Sequence, residues 1–192
     1  MEPSELIMKD PAKILMKIIK ERRSIRQFTN EDISDEMIEN FLEAARWAPS
    51  AADVQDWEFI VVREKNIKEQ LSNAASRQPS VRNAPVVIAV CANQIRSYSI
   101  FKSRGTDLYC YQDTAAAIQN LLLTVHAYNY GAVWVGAFDE KKVAEILKTP
   151  EKIRPIALIP IGRPVKLPRA TPRYKLKKVT HLNQYGNKTF FK

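Results

Sequence analysis

The strongest structural signal in the chain is the stretch Asp113-Thr-Ala-Ala-Ala-Ile-Gln-Asn-Leu-Leu-Leu-Thr-Val-His-Ala-Tyr128. Its apolar residues lie on nearly every side of a helix, a pattern typical of a helix that neighbours cover all round. It is shorter than the roughly 20 apolar residues that span a bilayer. We therefore expect a central, buried helix, and such a helix in a small domain often contributes to a subunit interface. Gly131 is the expected left-handed residue that ends it.

Short apolar runs on either side of this helix predict the strands of the core. Ala84–Cys91 is apolar almost throughout, which favours a strand covered on both faces. Three further runs are expected as strands or extended segments: 58–62, 132–137 and 153–161. The last contains Pro155 and Pro160, which cannot donate to a sheet ladder, so we expect it at an edge or on an irregular path.

Helix-start signals precede three amphipathic stretches. Asp10-Pro11, Ser34 and Asp139 are typical N-terminal caps, and apolar residues follow each at helical spacing. A fourth helix is expected over 65–75. Residues 77–83 resemble a mobile connection, and 93–110 alternate polar and aromatic residues in a way typical of a pocket lid or wall. Helices mixed with strands predict an α+β or α/β fold, and the pattern alone does not choose.

The composition indicates one globular domain. Of the 192 residues, 45% are hydrophobic and 27% are charged, which separates the chain from disordered proteins. The first 20 residues carry Asp10, Pro11 and scattered lysines, unlike a secretory signal. Cys91 and Cys110, the two cysteines, form no metal or disulfide pattern, and Cys91 is expected in the core. We therefore expect a soluble cytoplasmic protein.

The formal net charge of +9 is unevenly distributed. From residue 152 onward there are eleven Lys or Arg and no Asp or Glu, whereas the preceding 151 residues carry 19 basic and 21 acidic side chains. The excess therefore belongs to a basic C-terminal tail that begins at about residue 162. This asymmetry indicates an anionic ligand there, or a polyanion such as nucleic acid.

A second concentration of charge is Glu21-Arg-Arg-Ser-Ile-Arg-Gln-Phe28. Three guanidinium groups within five residues repel one another unless they share an anion. Arginine and a serine hydroxyl suit phosphate oxygens, to which they donate charge-assisted hydrogen bonds. The structural alternative is a basic helix end, where cations are favoured by the negative end of the helix dipole. The octapeptide alone leaves both open.

The loop Ala48-Pro-Ser-Ala-Ala-Asp-Val-Gln-Asp-Trp57 joins a helix to a strand. Asp53 and Gln55 offer carboxylate and amide groups, and a tryptophan lies at each side of the loop. A planar, hydrogen-bonding ligand would suit such a loop. A plain helix-to-strand connection would explain most of it as well.

Four of these stretches, in this order, resemble the nitroreductase family of FMN-dependent oxidoreductases. The matching pieces are Arg22-Arg23-Ser24-Ile25-Arg26, Ala48-Pro49-Ser50 with Gln55 and Trp57, Asp113-Thr114-Ala115 at the start of the Ala/Leu-rich helix, and Gly131-Ala-Val-Trp-Val-Gly136. Each piece is a weak signal, whereas four in the family's order are specific. The resemblance spans roughly residues 12–187.

The resemblance implies an α+β fold with three α/β/α layers, a mixed β-sheet flanked by helices, and an intertwined homodimer. FMN would lie at the subunit interface and contact both chains. Residues 1–192 would form a single nitroreductase-like, FMN-binding domain that includes the basic tail.

The resemblance also implies which residues hold the cofactor's phosphate and ribityl chain. Arg22, Ser24 and Arg26 match the family's binding positions, and Arg23 matches beside them. From the basic tail, Arg173 would close on the phosphate. The alternatives to Arg173 are Arg169 and Arg163.

Two further segments would meet the flavin ring. In the loop, often across the dimer, these residues are Pro49, Ser50, Asp53 and Gln55. The second segment would approach the reactive edge through backbone groups, and it consists of Trp134, Val135 and Gly136. Gly136 in particular is expected where the backbone approaches something flat.

Asp53 departs from the family, which usually has asparagine there. An ionised aspartate only accepts hydrogen bonds, whereas asparagine also donates. Asp53 could accept from the flavin ring N–H or from a ribityl hydroxyl. Its negative charge is expected to disfavour anionic reduced flavin and so to lower the reduction potential.

The implied reaction uses NADH or NADPH as the electron donor and a nitroaromatic, quinone or flavin as the acceptor. We expect no catalytic acid or base and no metal, and His126 and His181 are expected to be structural. Tyr98, Phe101 and Tyr109 are candidates for the pocket wall or the core. One alternative is a flavin-binding protein of this fold without reductase activity. Another is a nucleic-acid-binding protein that uses the basic tail, where aromatic residues interleave with lysines.

Overall fold

The structure is a computed structural model and describes residues 10–190. The helices are α1 (Pro11–Glu21), α2 (Asp35–Arg46), α3 (Lys65–Ala74), α4 (Pro79–Asn83), α5 (Gln94–Arg104), α6 (Cys110–Ala127), α7 (Glu140–Leu147) and α8 (Leu176–Val179). The strands are β1 (Trp57–Val62), β2 (Val86–Asn93), β3 (Gly131–Ala132) and β4 (Ile153–Gly162). The predicted caps are confirmed, since the side chains of Asp10, Ser34 and Asp139 each accept a backbone N–H three residues ahead.

The four strands form one sheet in the order β1-β2-β4-β3, and all of its strand pairs are antiparallel. Helices combined with this antiparallel sheet confirm the α+β prediction. Within residues 10–190, parallel pairing is limited to one isolated bridge between Ser24 and Ala132. The four-stranded sheet itself is therefore antiparallel and not mixed as expected.

The side chains of β2 alternate between two hydrophobic clusters. Val86, Ile88 and Val90 pack in a cluster with residues of α2 and α6. Val87 and Ala89 belong to a second cluster, together with residues of α3, α4 and α7. Because successive strand side chains point to opposite faces, the helices cover the sheet on both sides. The three-layer prediction is confirmed.

The central helix, α6, buries eight of its residues, but within one chain it is not covered all round as predicted, because Leu123 and Ala127 line an open groove. Ile118 and Leu121 have no exposed surface. The helix also ends differently from the prediction. The left-handed residue after the helix is Asn129, with φ of 60°, and not Gly131, which begins β3. A Cβ on Gly131 would lie 2.6 Å from Cγ1 of Ile25. Glycine is therefore required for close packing between β3 and the segment after α1.

Two segments that the sequence left without regular structure form helices. The predicted mobile connection at 77–83 was wrong, because α4 begins at Pro79 and buries Ser80 and Val81. The unassigned segment 93–110 forms α5 and then one π-helical turn over Gly105–Tyr109 that leads into α6. Because its apolar residues lack a clear 3.6-residue period, this helix was not predicted from the sequence.

The prolines of β4 predicted either an edge position or an irregular path, and the structure shows an irregular path inside the sheet. Strand β4 lies between β2 and β3, and its register with β2 shifts between Val90 and Cys91, where Pro155 faces Cys91. A proline lacks the N–H that would complete the ladder, so the irregularity falls where no bond could form.

After β4 the chain runs over the surface as the expected basic tail. Residues 165–179 are exposed, and α8 is its one short helix within the described part of the chain. Across residues 10–190, no helix has the length and apolar character needed to cross a membrane.

Candidate functional site

Arg22 lies at the C-terminal end of α1, where its backbone N–H donates to Ile18 O at 3.1 Å. Its guanidinium is half-buried, and burial lowers its pKa. The positive charges of Arg173 and Arg23 lower the pKa further. Within residues 10–190, Arg22, Arg23 and Arg173 form no ion pair with a carboxylate, although the charge of Glu21 acts on His126 together with those of Arg22 and Arg23. Such a cluster is well suited to a phosphate.

Of the residues that follow Arg22, Arg23 and Ser24 make structural contacts within the chain, whereas the side chain of Arg26 is exposed. Arg23 donates through Nη1 to Lys20 O at 2.6 Å and to Arg22 O at 2.9 Å, so it also serves the structural role of capping α1. Ser24 bridges Ala132 of β3 and fixes the segment beside the sheet. Arg26 is exposed and has no hydrogen bond or ion pair within the described part of the chain.

The three arginines proposed from the tail occupy different environments. Arg173 lies close enough to Arg22 to depress its pKa. Arg163 is engaged elsewhere, since its Nε lies 3.2 Å from Glu31 Oε1 and its guanidinium lies 3.8 Å from the centre of the Tyr130 ring. Arg169 is exposed. Of the three, Arg173 is the one whose charge acts on Arg22, and its Nη1 also donates to Thr171 O at 3.1 Å and to Thr171 Oγ1 at 2.6 Å.

The loop at 49–55 is held in an unusual backbone conformation. It contains a 3₁₀ turn, and Ala52, Asp53 and Gln55 have left-handed φ angles of 45°, 54° and 50°. Non-glycine residues adopt this region at some cost and often near functional sites. Pro49 is exposed, while Ser50 Oγ accepts the backbone N–H of Gln55 at 3.0 Å.

The side chains of this loop also interact with one another. Gln55 Nε2 donates to Asp53 Oδ1 at 2.8 Å, and both side chains are exposed. The carboxylate of Asp53 is thus held at the surface of the loop, where its second oxygen is open to a donor.

A buried carboxylate pair, absent from the sequence-based site, supports this loop. Asp113, 6% exposed, accepts the backbone N–H of Ala51 at the first turn of α6. Asp56 is fully buried, and neither of its oxygens has a hydrogen-bond partner. The Ser97 hydroxyl opposes the rise in the Asp56 pKa, but its Oγ does not reach hydrogen-bond geometry.

Burial is the main cause of the raised pKa at both Asp56 and Asp113. The Ala51 N–H opposes the rise at Asp113. Burial, followed by the charge of Asp56, raises the pKa of Cys110 to about 11, so that thiol is unreactive. In the sequence, the pair of Asp56 and Asp113 is indicated by Asp56, a charged residue directly before a buried strand.

The 134–136 segment lies along the edge of β4. Val135 is buried, and its N–H and C=O pair with Leu158 at 3.0 and 2.9 Å. Both backbone groups of Val135 are therefore engaged within the chain. Trp134 and Gly136 are exposed, and a Cβ on Gly136 would meet no atom closer than 3.5 Å, at Trp134 Nε1. The surface beside Gly136 is open.

One chain does not bring all predicted site residues together. The Arg22 cluster lies near the end of α6, where the charges of Arg22 and Arg23 act on His126. The loop at 49–55 is bonded to Asp113 near its beginning. At 1.5 Å per residue, Asp113 and His126 are about 20 Å apart along the helix. The two groups therefore lie near opposite ends of α6 within one chain.

Known proteins resemble this chain in both sequence and fold. The profile described as "Nitroreductase family" matches residues 19–81 and 73–163. A Methanothermobacter thermautotrophicus protein assigned as NADH dehydrogenase/NAD(P)H nitroreductase is 35% identical over 158 residues, covering 80% of this chain and 79% of that protein. The "FMN reductase (NADPH)" of Bacillus subtilis is 28% identical over 180 residues, covering 87% and 72%.

A solved structure supports the same relationship. The NfrA1 nitroreductase of B. subtilis superposes with a TM-score of 0.83 at 26% identity, covering 90% of this chain and 75% of that one. Sequence profile, relatives and fold agree over nearly the same residues. The chain belongs to the nitroreductase family.

Proposed function

We propose that the protein is an oxidoreductase that binds FMN and passes a hydride from NADH or NADPH to a small acceptor. A nitroaromatic, a quinone or a free flavin would serve as the acceptor. FMN supplies the hydride-transfer chemistry when it is bound, and the protein binds, orients and shields it from water. The observation that carries the proposal is the unneutralised cluster of Arg22, Arg23 and Arg173 in a chain of this family.

The residues present fit an FMN phosphate. A phosphate monoester carries close to two negative charges at neutral pH, and guanidinium groups without carboxylate partners neutralise such a group well. Arg22 and Arg173 would donate to phosphate oxygens, and Arg26 and the Ser24 hydroxyl add donors beside them. Arg23, which already donates to two carbonyls, would contribute mainly charge.

The flavin ring would lie between the exposed surface at 134–136 and the 49–55 loop of a second chain. Ser50, Asp53 and Gln55 would orient it through their side chains. At Trp134 and Gly136 the open surface allows backbone approach, whereas the backbone groups of Val135 are engaged with Leu158. No side chain is required as an acid or base, because the chain's part is to position and exclude water.

A homodimer would complete this site, and the surface of α1 supports one. No residue of α1 is buried, and its apolar side chains lie at the surface. Ile14, Leu15 and Ile19 are 48, 53 and 43% exposed. The helix borders an apolar groove of about 360 Å³ whose lining includes Leu15, Ile18, Ala44, Trp47, Leu123 and Ala127. Apolar surface of this kind on α1, α2 and α6 suits a second copy of the chain.

The test begins with the visible spectrum of the purified protein and mass spectrometry of any released ligand. Yellow protein that releases FMN, and whose colour bleaches with anaerobic NADH or NADPH, supports the proposal. Protein that stays colourless after incubation with FMN would contradict it. Arg22→Gln and Arg173→Gln are each expected to weaken FMN binding about tenfold. Lys166→Gln, which removes an exposed tail cation elsewhere, serves as the control.

A further inference from the structure

The last residue of the 49–55 loop has a backbone conformation that needs support. Gln55 has a φ of 50°, and a residue other than glycine keeps such a conformation only where its surroundings determine it. Its N–H donates to Ser50 Oγ at 3.0 Å and its Nε2 to Asp53 Oδ1 at 2.8 Å. Both of these partners belong to the loop itself, so neither contact fixes Gln55 relative to the rest of the protein.

Arg96 supplies that connection. It lies in the first turn of α5, and its Nη1 donates to the backbone C=O of Gln55. Its Nη2 lies 2.8 Å from Glu58 Oε1, near the start of β1. The planar guanidinium presents both donors in a fixed geometry, which a single ammonium does not. One side chain of α5 therefore connects the end of the loop to the strand that follows it.

The position of Arg96 is in turn fixed by Asn93. Oδ1 of Asn93 accepts the backbone N–H of Arg96 at 3.0 Å and so caps α5, while Nδ2 of Asn93 donates to Glu58 Oε1 at 2.9 Å. The backbone N–H of Asn93 donates to Asp56 O at 2.6 Å. Because Arg96 and Asn93 donate to the same carboxylate oxygen, the start of α5 is tied to β1 and Arg96 is oriented toward the loop.

The exposure of this network argues against a role confined to stability. The side chains of Arg96 and Glu58 are 43 and 41% exposed, and ion pairs in that much contact with water contribute little to the free energy of unfolding. A guanidinium that donates to a residue of left-handed conformation instead limits the conformations that the loop can adopt. Such restriction is what a loop needs if it is to orient a ligand.

We propose that Arg96 is a positioning residue for the flavin ring, because it holds the C=O of Gln55 and so fixes the side chains that the 49–55 loop presents to the ring. The inference rests on the proposed function and adds a residue to that same site. Arg96 acts through Gln55 and is not itself placed against the ring. Without Arg96, Gln55 would leave the left-handed conformation, and Asp53, which is bonded to the Gln55 side chain, would move with it.

The test compares Arg96→Met, Arg96→Lys and the control Arg63→Met. Methionine keeps much of the side-chain length but does not donate hydrogen bonds, whereas lysine keeps the charge but lacks the planar pair of donors. Arg63 is a matched control, because its guanidinium also donates to a backbone carbonyl, Ile33 O at 2.6 Å, and to a carboxylate, Asp35 Oδ1 at 2.7 Å, outside the loop. Denaturant unfolding establishes that each variant folds, and Arg96→Lys carries the test if Arg96→Met does not.

The first measurement needs no flavin. Hydrogen exchange of the Gln55 amide, followed by NMR in ligand-free protein, reports how often the end of the loop opens. We expect this exchange to be about fivefold faster in Arg96→Met than in the wild type, with a smaller increase in Arg96→Lys and none in Arg63→Met. Equal exchange rates in Arg96→Met and the wild type would overturn the inference.

The second measurement uses the visible circular dichroism of bound FMN, which depends on how the ring is oriented, together with the Kd for FMN. We expect Arg96→Met to change the spectrum and to raise the Kd about tenfold. Arg63→Met should keep the wild-type spectrum and Kd even if it lowers stability. An unchanged spectrum and Kd in Arg96→Met, or equal changes in Arg96→Met and Arg63→Met, would count against a positioning role and overturn the inference.

The measurements separate this inference from the proposed function. If the wild type binds FMN and NADH or NADPH reduces it, while Arg96→Met alters neither the loop nor the flavin, the inference fails and the function stands. If the wild type cannot be loaded with FMN, the proposed function fails. The inference then fails with it, even where the Gln55 amide exchanges faster in Arg96→Met.

Discussion

The carboxylate of Asp113 accepts the backbone N–H of Ala51 with its two oxygens at 3.2 and 3.1 Å, so the central helix itself positions the 49–55 loop. The contact spans 62 positions in sequence and is mostly shielded from water. Hydrogen bonds to a charged, buried acceptor are among the stronger ones. The left-handed conformation at Ala52 and Asp53 therefore depends on a residue of the core.

Asp113→Ala is expected to release this loop. Loss of a hydrogen bond to a charged group costs about 1.5–3 kcal/mol, so the Ala51 amide should exchange its hydrogen at least tenfold faster. FMN affinity should fall with it. Amide exchange followed by NMR is the measurement, and Asp113→Asn, which keeps an acceptor oxygen, should show a smaller change. Unchanged protection at Ala51 in the alanine variant would refute this role.

Asp56 gives the folded protein a specific dependence on pH. Burial raises its folded-state pKa above the unfolded value of about 3.9. The folded state then binds more protons, so this group's contribution is fully favourable below the unfolded pKa. It is lost as pH rises through the folded-state value. The charge of Arg96 opposes the rise in the Asp56 pKa. The charge of Asp56 in turn raises the pKa of Asp113 and of the Cys110 thiol.

Replacing Asp56 with asparagine should therefore stabilise the protein at neutral pH. We expect a gain of about 1–2 kcal/mol in the free energy of unfolding at pH 7, because the variant buries no charge. The gain should shrink as pH falls through the raised pKa of Asp56, because below it the wild-type carboxyl is also neutral. Denaturant unfolding at several pH values measures this, with exposed Glu39→Gln as the control. A gain that stays constant with pH would contradict the assignment.

Two glycines near the candidate site should respond oppositely to the same substitution. A Cβ on Gly131 would come within 2.6 Å of Ile25, and overpacking of this kind typically costs about 1–3 kcal/mol. Gly136→Ala meets no atom within 3.4 Å and should leave the chain's own packing undisturbed. It should nevertheless weaken FMN binding if the flavin approaches there. Thermal unfolding and FMN titration of both variants separate the two roles, and equal loss of stability in both would be the contrary result.

The sequence predicted the elements that a local signal defines. Side-chain caps and apolar periodicity located α1, α2 and α7, and apolar residues on nearly every side located α6. The apolar run of β2 identified the centre of the sheet. The Arg22 cluster was recognisable because its repulsion is local. The Asp56–Asp113 pair was not, since its members are far apart in sequence and their burial depends on how α6 packs beside β1. The role of Gly131 was mispredicted for the same reason. Glycine is required there by the close contact with Ile25, and not by the end of α6.

Asp53 tests how the chain would tune its cofactor. Its carboxylate is held by Gln55 Nε2 at 2.8 Å and can only accept hydrogen bonds while ionised. If it lies beside the flavin, its negative charge disfavours the anionic reduced form. Asp53→Asn should then raise the two-electron reduction potential by about 30 mV, equivalent to about 1.4 kcal/mol. Spectroelectrochemical titration measures the shift, and Asp107→Asn, which removes an exposed carboxylate outside the loop, should leave the potential unchanged. If the potential of the Asp53 variant does not rise, its charge does not act on the flavin.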